Sequence, residues 1–380
     1  MSLKFTALEV GSGDAFLVED DDKKYLFDSG GNKILIANLL KNKKIKKLDL
    51  AICSHNDIDH ANGFIGLLDP NSKIEIEEIW LPGDWASILN FVKDRRISPY
   101  EIIRYLDKCD ESDNKYRENY EKNDCSRNKL FDNELSKSIE NFEDELSWLS
   151  EMEDSVFFYK TFREWHFWYD KDEKYYHHQL HLLLEHYGTN LLHLQLNLKR
   201  ILDIVRLAYQ RGCKIRWFEP TNYCTNKDID YGFRALNAVQ MASVKVPKDT
   251  IAFIQLLTLT KENEYSLVFE YLKNNIPIIR FSADSNCTCQ SIIYDKSIIV
   301  TAPHHGSEAN ANVYSAIQGN NIIWVRSDRK SRKRPCADYK MMSNKYCLAC
   351  YNKNFKKEIC FYYDCYSKKW KHKTGCKCPC

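Results

Sequence analysis

Short apolar runs, each followed by polar residues, recur along the chain and predict buried strands. The clearest run spans 48–53, and comparable runs at 25–27, 278–281 and 297–302 also end at polar or ionisable residues. Apolar runs bounded by turn residues are typical of buried strands. Side chains at the ends of such strands converge on one edge of a sheet, which is the usual position of a site in layered α/β proteins.

A different pattern, with apolar residues at three- and four-residue steps and no proline, predicts helices at 134–153 and 191–211. Both segments fall in an acidic, aromatic-rich stretch at 85–213, which is longer than a connection between two strands needs. We therefore predict an inserted helical subdomain that forms a lid, a substrate wall or a surface for a protein partner. The alternative is a solvated helical hairpin that packs on the core.

The loop that follows residues 48–53 places four side chains with metal-binding capacity in six residues. These are His55, Asp57, Asp59 and His60. Imidazole and carboxylate groups in alternation suit divalent metals, and two neighbouring metals stabilise the attacking and the leaving oxygen of a displacement. The loop therefore predicts a site for two cations.

Two later strand ends carry residues of the same chemistry. Asp284 follows the run at 278–281, and His304 and His305 follow the run at 297–302, with Gly306 directly after them. Because glycine has no side chain, it lets the backbone approach a ligand closely. An aspartate followed by serine and asparagine is also good turn chemistry, so a turn residue is the alternative for Asp284.

The spacing of the 55–60 loop resembles the His-x-His-x-Asp-His motif of the metallo-β-lactamase superfamily, with Asp57 in place of the second histidine. This variant is similar to the ComEC-type branch, which comprises the hydrolase domain of bacterial DNA-uptake channels and free-standing relatives without the channel. The opening segments 10–18 and 25–31, the strand that ends at Asp284 and the Pro-His-His-Gly-Ser run at 303–307 resemble that branch in the same order.

The resemblance implies an α/β fold, a metallo-β-lactamase αββα sandwich, with a helical insertion and a Cys-rich C-terminal extension. The predicted division is a first half of the core at 1–84, the insertion at 85–213, a second half of the core at 214–335 and a basic, Cys-rich tail at 336–380. Domains of 50 to 250 residues are usual, so a core with an insertion suits a chain of 380 residues.

The resemblance also implies a ligand set. His55, Asp57, Asp59 and His60 would bind metal, Asp284 would bridge two ions, and one of His304 and His305 would complete the second site. Asp59, His304 and His305 would be the catalytic residues. A set with fewer nitrogens and more oxygens shifts the preference from zinc toward manganese or magnesium, and leaves the identity of the two divalent ions open among the three. Candidate substrate contacts, partly from a segment resembling the branch's Asn-x-x-Ser, are Asn263, Ser266, Ser307, Arg329, Arg332 and Arg334.

The C-terminal region has two further features. Basic residues crowd 326–335 and could neutralise phosphates, although a solvated charge run is the alternative. A Cys-x-x-Cys pair and a later Cys-x-Cys pair could hold a structural zinc, with fraying or oxidation of a terminal segment as the competing interpretation. The four cysteines are Cys347, Cys350, Cys376 and Cys378.

Composition constrains the setting of the protein. Fifteen cysteines in a chain without a recognisable export signal favour reduced thiols. No apolar run approaches the length that spans a bilayer, so we expect a cytoplasmic protein without a membrane partner.

Together these features predict a metal-dependent hydrolase, a phosphodiesterase or nuclease that uses a hydroxide bridging two metals and acts on nucleic acid. The alternatives are hydrolysis of a small phosphoester or cyclic nucleotide, and a binding or regulatory module that uses a metal-stabilised sandwich without turnover. The acidic insertion favours the small substrate unless it faces away from the site, because it would repel a long polyanion.

Overall fold

The computed structural model describes residues 3–94, 191–244, 247, 250–260, 265–286, 292–329, 331, 333–349, 358–374 and 377–378. The chain divides into two compact units. The first comprises Met1–Gly83, Arg200–Met241 and Leu259–Cys380, and the second comprises Asp84–Lys199 and Ala242–Thr258.

Strands dominate the first unit. In chain order the strands are β1 (Leu3–Ala7), β2 (Phe16–Asp20), β3 (Lys23–Phe27), β4 (Lys47–Ile52), β5 (Glu75–Pro82), β6 (Lys214–Pro220), β7 (Lys227–Asp228), β8 (Phe233–Ala235), β9 (Ala238–Gln240), β10 (Phe269–Lys273), β11 (Ile276–Phe281), β12 (Ile292–Tyr294), β13 (Ile298–Thr301), β14 (Ile317–Gly319), β15 (Ile322–Arg326), β16 (Lys345–Cys347), β17 (Ile359–Asp364) and β18 (Lys369–Thr374).

The described α-helices are α1 (Leu35–Asn42), α2 (Ile58–Leu68), α3 (Gly83–Asp94), α4 (Leu191–Gln210), α5 (Thr250–Leu259), α6 (Asn312–Ala316) and α7 (Ala337–Met341). Short 3₁₀ turns lie at Pro70–Ser72, Asp230–Gly232, Pro303–Gly306 and Glu308–Asn310. None of the helices in the described part of the chain combines the length and apolar character that crossing a bilayer would require.

Two large sheets form the first unit. One has nine strands in the order β18-β17-β1-β2-β3-β4-β5-β6-β9, and the other has seven in the order β16-β15-β13-β11-β10-β8-β7. Strands β12 and β14 form a small parallel pair. The apolar runs predicted as strands at 25–27, 48–53, 278–281 and 297–302 correspond to β3, β4, β11 and β13, so those predictions are confirmed.

A single apolar core joins the inner faces of the two large sheets. Phe281 of the second sheet is fully buried and stacks on Phe27 of the first at 4.5 Å between ring centroids. The ring centroids of Phe5, Phe16 and Phe233 lie within 6.4 Å of the Phe281 ring centroid. Ring contacts of this kind add to the stabilisation that burial of apolar area provides.

Helices pack on the sheets of this unit. Val313 and Tyr314 of α6 and Tyr339 of α7 form an apolar cluster with Val300 of β13 and Trp324 of β15. Helices α1 and α2 pack on each other and bury residues at three- and four-residue steps, as amphipathic helices do. The mixed α/β fold with two packed sheets confirms the predicted sandwich class and agrees with a metallo-β-lactamase fold.

The topology explains why ligand-bearing loops meet. Strands β3, β4, β5 and β6 run parallel in the first sheet, as do β11, β13, β15 and β16 in the second. Parallel strands place their carboxyl ends on one edge, where sites of layered α/β proteins form. The loops after β3, β4, β11 and β13 carry the ionisable residues identified from the sequence.

The C-terminal segment completes the first sheet. Strand β17 pairs antiparallel with β1, and β18 pairs with β17. Most of the predicted insertion at 85–213, including the predicted helix at 134–153, lies outside the described residues, while α4 occupies most of the helix predicted at 191–211. The four-part domain division stays a prediction.

Cys224 is disulfide-bonded, which departs from the expectation of reduced thiols. Other described cysteines form no disulfide, and most of them are buried. These are Cys53, Cys213, Cys336, Cys347, Cys360, Cys365 and Cys378. For most of the described cysteines the expectation therefore holds.

The aromatic core makes a stability prediction. Replacing Phe281 with Ala should destabilise the protein by about 3–5 kcal/mol, because it removes a fully buried ring and leaves a cavity among four others. Denaturant unfolding of the variant would measure this loss. Tyr366→Ala is the control, since Tyr366 is 98% exposed and its loss should change stability by less than about 0.5 kcal/mol. Equal effects of the two substitutions would contradict a core centred on Phe281.

Candidate metal centre

Three buried histidines direct their Nε2 atoms toward the carboxylate of Asp284. The Nε2 atom of His60 lies 3.1 Å from Asp284 Oδ1, and that of His305 lies 3.9 Å from the same oxygen. The Nε2 atom of His55 lies 3.7 Å from Asp284 Oδ2. Each of these four side chains is at most 2% exposed. The four residues come from the three segments that follow β4, β11 and β13, so the fold assembles this cluster.

The two oxygens of Asp284 face different partners. Oδ1 faces His60 and His305, whose Nε2 atoms are 3.2 Å apart. Oδ2 faces His55 and also His304, whose Nε2 lies 3.6 Å away and whose side chain is 30% exposed. A carboxylate with donors on both oxygens has the arrangement needed to bridge two ions. The sequence left His304 and His305 as alternatives, and the structure brings both to Asp284.

The opposite nitrogen of each buried imidazole has its own partner. Nδ1 of His60 donates to Asp28 Oδ2 at 2.8 Å, and Nδ1 of His305 contacts Asp14 Oδ1 at 3.0 Å. Nδ1 of His55 lies 2.9 Å from the Ser54 hydroxyl, which donates its single proton to Asp28. Partners of this kind fix the tautomer and the orientation of metal-binding histidines, so that Nε2 points at the ion.

Helix α2 positions the two remaining aspartates of the predicted loop. Asp57 precedes the helix in extended conformation and is partly exposed, and its negative charge acts on His55. Asp59 lies in the first turn of the helix, where the dipole stabilises a carboxylate, and its Oδ2 is 3.2 Å from His305 Nε2. The structure therefore places Asp59 on the side of Asp284 that faces His60 and His305.

Backbone contacts hold the 55–60 loop in place. The amide of Asn56 donates to the carbonyl of Thr260, and the buried guanidinium of Arg200 donates to the carbonyl of Asn56. The amide of Ser54 donates to Asp28 Oδ1 at 2.8 Å. Gly13 approaches so closely that an added Cβ would lie 1.6 Å from the carbonyl oxygen of Asp59. A side chain at Gly13 would therefore displace the loop.

Several site residues adopt the left-handed backbone conformation that non-glycine residues rarely use. The φ angles are 56° for Asp28, 46° for Ala283, 45° for His304 and 53° for His305. Each such residue costs about 1–3 kcal/mol and persists where the surrounding structure over-determines it. The clustering of strain at three strand ends is typical of a functional site.

The ionisation of the cluster reflects its burial and its charges. Burial lowers the pKa of His60, but the carboxylates of Asp284 and Asp28 outweigh it and raise that pKa well above the ordinary value. Burial also lowers the pKa of His305, but the carboxylates of Asp14 and Asp284 outweigh it and raise that pKa well above the ordinary value. Burial and the neighbouring His60 lower the pKa of His55. The buried carboxylates thus favour positive charge among them.

The donor set fits divalent cations. Ligand atoms about 2.0–2.2 Å from a tetrahedral ion are about 3.3–3.6 Å from each other. The Nε2 atoms of the four histidines lie 3.1–3.9 Å from an oxygen of Asp284, which is close to that spacing. Within the described residues, the buried Nε2 of His55 makes no hydrogen bond. Two overlapping groups meet the spacing for one ion, namely Asp14, His60 and His305, and His55, His60 and Asp284. For His55, His60, His305 and Asp284 the assignment as ligands stays a prediction, whereas Asp14, which contacts Nδ1 of His305, is not in the predicted ligand set.

The predicted ligand set does not include Asp14 and Asp28, although both lie in the opening segments 10–18 and 25–31 that resemble the superfamily branch. Both follow the pattern that identified the others, because Asp28 directly follows β3 and Asp14 lies between two short strands. Asp14 is 1% exposed and Asp28 is fully buried. Their role, orienting histidines from behind, leaves no distinctive spacing in the sequence, since their partners lie 32 and 291 residues away.

The predicted substrate contacts are in varied positions. Ser266 is fully buried, which does not favour contact with a substrate. The hydroxyl of Ser307 accepts the Ala309 amide and caps a short turn. Arg329 is exposed, whereas Arg334 is ion-paired with Asp328 at 3.3 Å. Two further candidates, Asn263 and Arg332, lie outside the described residues.

Two of the four cysteines predicted to hold structural zinc are described. Cys347 ends β16, and the amide of Cys378 donates to the carbonyl of Lys345 in the same strand. Both side chains are buried. Cys350 and Cys376 lie outside the described residues, so this zinc site stays a prediction.

Comparison with known proteins agrees with the fold. The model of the metallo-beta-lactamase superfamily matches residues 8–78, which include Asp14, Asp28, His55 and His60. None of the curated proteins compared with the chain matches it. Residues 8–78 thus carry a metallo-beta-lactamase superfamily domain match, and proteins of that superfamily are usually hydrolases that use divalent metals. Membership of the ComEC-type branch stays a prediction.

The geometry predicts how metal content responds to ligand loss. His60→Ala should remove one of two bound ions, whereas Asp284→Asn should disrupt both, because donors lie at both oxygens of Asp284. Elemental analysis of the purified variants would measure this. Asp49→Asn is the matched control, since Asp49 is a buried aspartate that pairs with Lys23 away from the cluster. Full metal content in Asp284→Asn would favour the alternative that Asp284 is a turn residue and not a ligand.

The orienting aspartates make a separate prediction. Asp14→Asn should weaken metal binding about 10- to 100-fold, because the carboxylate that orients His305 is lost while every predicted ligand remains. Titration of the metal-free protein with Mn²⁺ or Zn²⁺ would measure the affinity, with Asp49→Asn again as control. Wild-type affinity in Asp14→Asn would show that His305 needs no such partner or binds no metal.

Proposed function

We propose that this protein is a metal-dependent phosphodiesterase, with nucleic acid as its substrate. The observation that carries the proposal is the buried Asp284 carboxylate, which has histidines at both oxygens. The carboxylate of Asp59 contacts one of these histidines, His305. A mixed nitrogen and oxygen donor set of this kind suits zinc or manganese, and magnesium less well.

Two divalent cations held by these residues would lower the pKa of water to near neutrality and neutralise charge that develops on phosphorus. The chain's own groups have distinct tasks around them. His55, His60, His305, Asp59 and Asp284 would supply ligand atoms. The burial of His55, His60, His305 and Asp284 excludes competing water. Ser54 and the aspartates behind the histidines keep each Nε2 directed inward.

His304 has a different position from the other histidines. Its side chain is 30% exposed, whereas those of His55, His60 and His305 are at most 1% exposed. An imidazole at the mouth of a site can hold or deliver a proton at an oxygen of the substrate. We assign His304 to that role, because its Nε2 lies 3.6 Å from Asp284 Oδ2 and so is close to the metal centre.

Nucleic acid as substrate rests on the basic residues that follow β15. Arg329 and Lys333 are exposed and only a short distance along the chain from Ser327, whose carbonyl contacts His305. Exposed cations near a metal site favour a polyanionic substrate. One observation favours the alternative, a small phosphoester or cyclic nucleotide: Arg334 is paired with Asp328 and so has less charge to offer a phosphate chain.

The proposal is tested by activity of the reconstituted protein. Metal-free protein is reloaded with Mn²⁺, Zn²⁺ or Mg²⁺ and incubated with an aryl phosphodiester, a cyclic nucleotide, and single- and double-stranded DNA and RNA. We expect cleavage of the aryl diester and of at least one nucleic acid. His304→Ala should slow cleavage about 100- to 10,000-fold with metal content retained, as expected for a group that transfers a proton. Metal binding without cleavage of any of these substrates would favour a binding module.

The basic residues make a salt prediction. If a polyanion crosses the site, the Arg329→Gln, Lys333→Gln double variant should reduce the slope of log affinity against log salt by about 0.7–0.9 per lost contact. Cleavage of the aryl diester should stay unchanged, because it does not depend on these side chains. Lys44→Gln with Lys73→Gln is the control for loss of two exposed lysines elsewhere. An unchanged slope in the first variant would favour the small substrate.

A further inference from the structure

We infer that Arg326 is a positioning residue, which holds the His304–His305 turn in its ligand-presenting conformation and connects that turn to Cys347. The inference rests on the proposed function, because it takes His305 to be a ligand of the metal centre. It assigns a role to a buried arginine and a buried thiol that the proposed reaction does not itself use.

The turn that presents the two histidines is left-handed at three consecutive residues. The φ angles are 45° for His304, 53° for His305 and 80° for Gly306. Such a conformation persists where its hydrogen-bonding groups are held from outside. The carbonyl of His304 accepts the Ser307 amide, and the carbonyl of Gly306 accepts the Cys336 amide. Between them, the carbonyl of His305 accepts from the side chain of Arg326 at 2.6 Å.

Arg326 donates to the His305 carbonyl through one of its three guanidinium nitrogens, and each of the other two also has a partner. Its Nε donates to His305, its Nη2 donates to Asp328 Oδ2 at 2.9 Å, and its Nη1 donates to Cys347 Sγ at 3.0 Å. The side chain is 1% exposed. A planar fork with three partners in fixed directions has one orientation, so the His305 carbonyl is held in one place.

The topology places these partners side by side. Arg326 ends β15, which lies between β13, the strand that leads into the turn, and β16, the strand that ends at Cys347. In the β15–β16 register Arg326 is opposite Cys347. The Arg326 side chain also passes beneath Gly306, where an added Cβ would lie 3.4 Å from Arg326 Cδ. The arginine thus contacts the turn through both a hydrogen bond and packing.

A purely structural role is the competing explanation, because a buried guanidinium paired with Asp328 would stabilise the fold wherever it lay. The two explanations differ in what a conservative change would alter. Lysine keeps the positive charge near Asp328 but cannot reproduce three fixed directions. Loss of the His305 contact should then affect the metal centre more than the stability of the fold.

The test compares Arg326→Lys with Arg280→Lys. Arg280 is an equally buried arginine in the same sheet that donates to Tyr294. Metal-free proteins are titrated with Mn²⁺ and Zn²⁺, and their melting temperatures are measured without metal. We expect Arg326→Lys to weaken the binding of one ion about 10- to 100-fold. Arg280→Lys should leave metal affinity unchanged. Wild-type metal affinity in a folded Arg326→Lys protein would overturn the inference.

A second variant covers the case in which Arg326→Lys does not fold. Cys347→Ala removes one acceptor of the guanidinium and leaves Arg326 in place, and Cys213→Ala is the control for loss of a buried thiol elsewhere. We expect Cys347→Ala to bind metal more weakly than wild type, by a smaller factor than Arg326→Lys. Cys213→Ala should bind metal with wild-type affinity. Equal affinity in the two cysteine variants would count against the connection to Cys347.

A readout without metal separates this inference from the proposed function. The imidazole nitrogen resonances of His305 are recorded by NMR in metal-free wild type and variants, with His372 as reference. We expect Arg326→Lys to shift the His305 Nδ1 signal and leave that of His372 in place. Failure of the wild type to bind metal would refute the proposed function alone. Unchanged His305 signals in Arg326→Lys would refute the positioning role alone.

Discussion

The carboxylate of Asp284, buried with 1% exposure among three buried histidines, is the constraint on which the rest of the site depends. An unpaired charge in such a place would be strongly unfavourable, because burial removes it from water. The histidines supply the compensating positive charge, and the pKa of Asp284 lies well below its ordinary value: burial opposes this shift, and His60 and His305 outweigh it. Divalent cations would satisfy the same requirement more completely, which is why the cluster suits a metal centre.

Holding that cluster together requires strain and close approach elsewhere. Asp28, Ala283, His304 and His305 adopt backbone conformations that cost energy in isolation. Gly13 lets one loop lie against the carbonyl of Asp59. These features occur at strand ends, where the sheet fixes one side of each loop and hydrogen bonds to neighbouring loops fix the other. The rigid sandwich therefore stabilises conformations that the loops would not adopt alone.

The C-terminal third of the chain contributes more to the core than its composition indicates. Strand β17 extends the first sheet beside β1, and β16 extends the second beside β15. Tyr346 and Phe361 from this segment lie in the central apolar core. Because β16 also places Cys347 against Arg326, the end of the chain is connected to the turn that carries His305. A basic, Cys-rich tail is thus part of the folded unit.

The sequence by itself determined the strands at 48–53 and 278–281 and the loop with His55 and His60, because apolar runs and ligand spacing are local properties. The sandwich class followed from the resemblance of its motifs to a known superfamily. The sequence did not determine which oxygen of Asp284 each histidine faces, that both His304 and His305 approach it, or which histidine Asp14 and Asp28 each contact. Those relations join residues from 20 positions apart, as for His304 and Asp284, to 291 positions apart, as for His305 and Asp14, and contacts across such distances leave no periodic signal. The tertiary structure decided them, because the two sheets must pack before the strand ends meet.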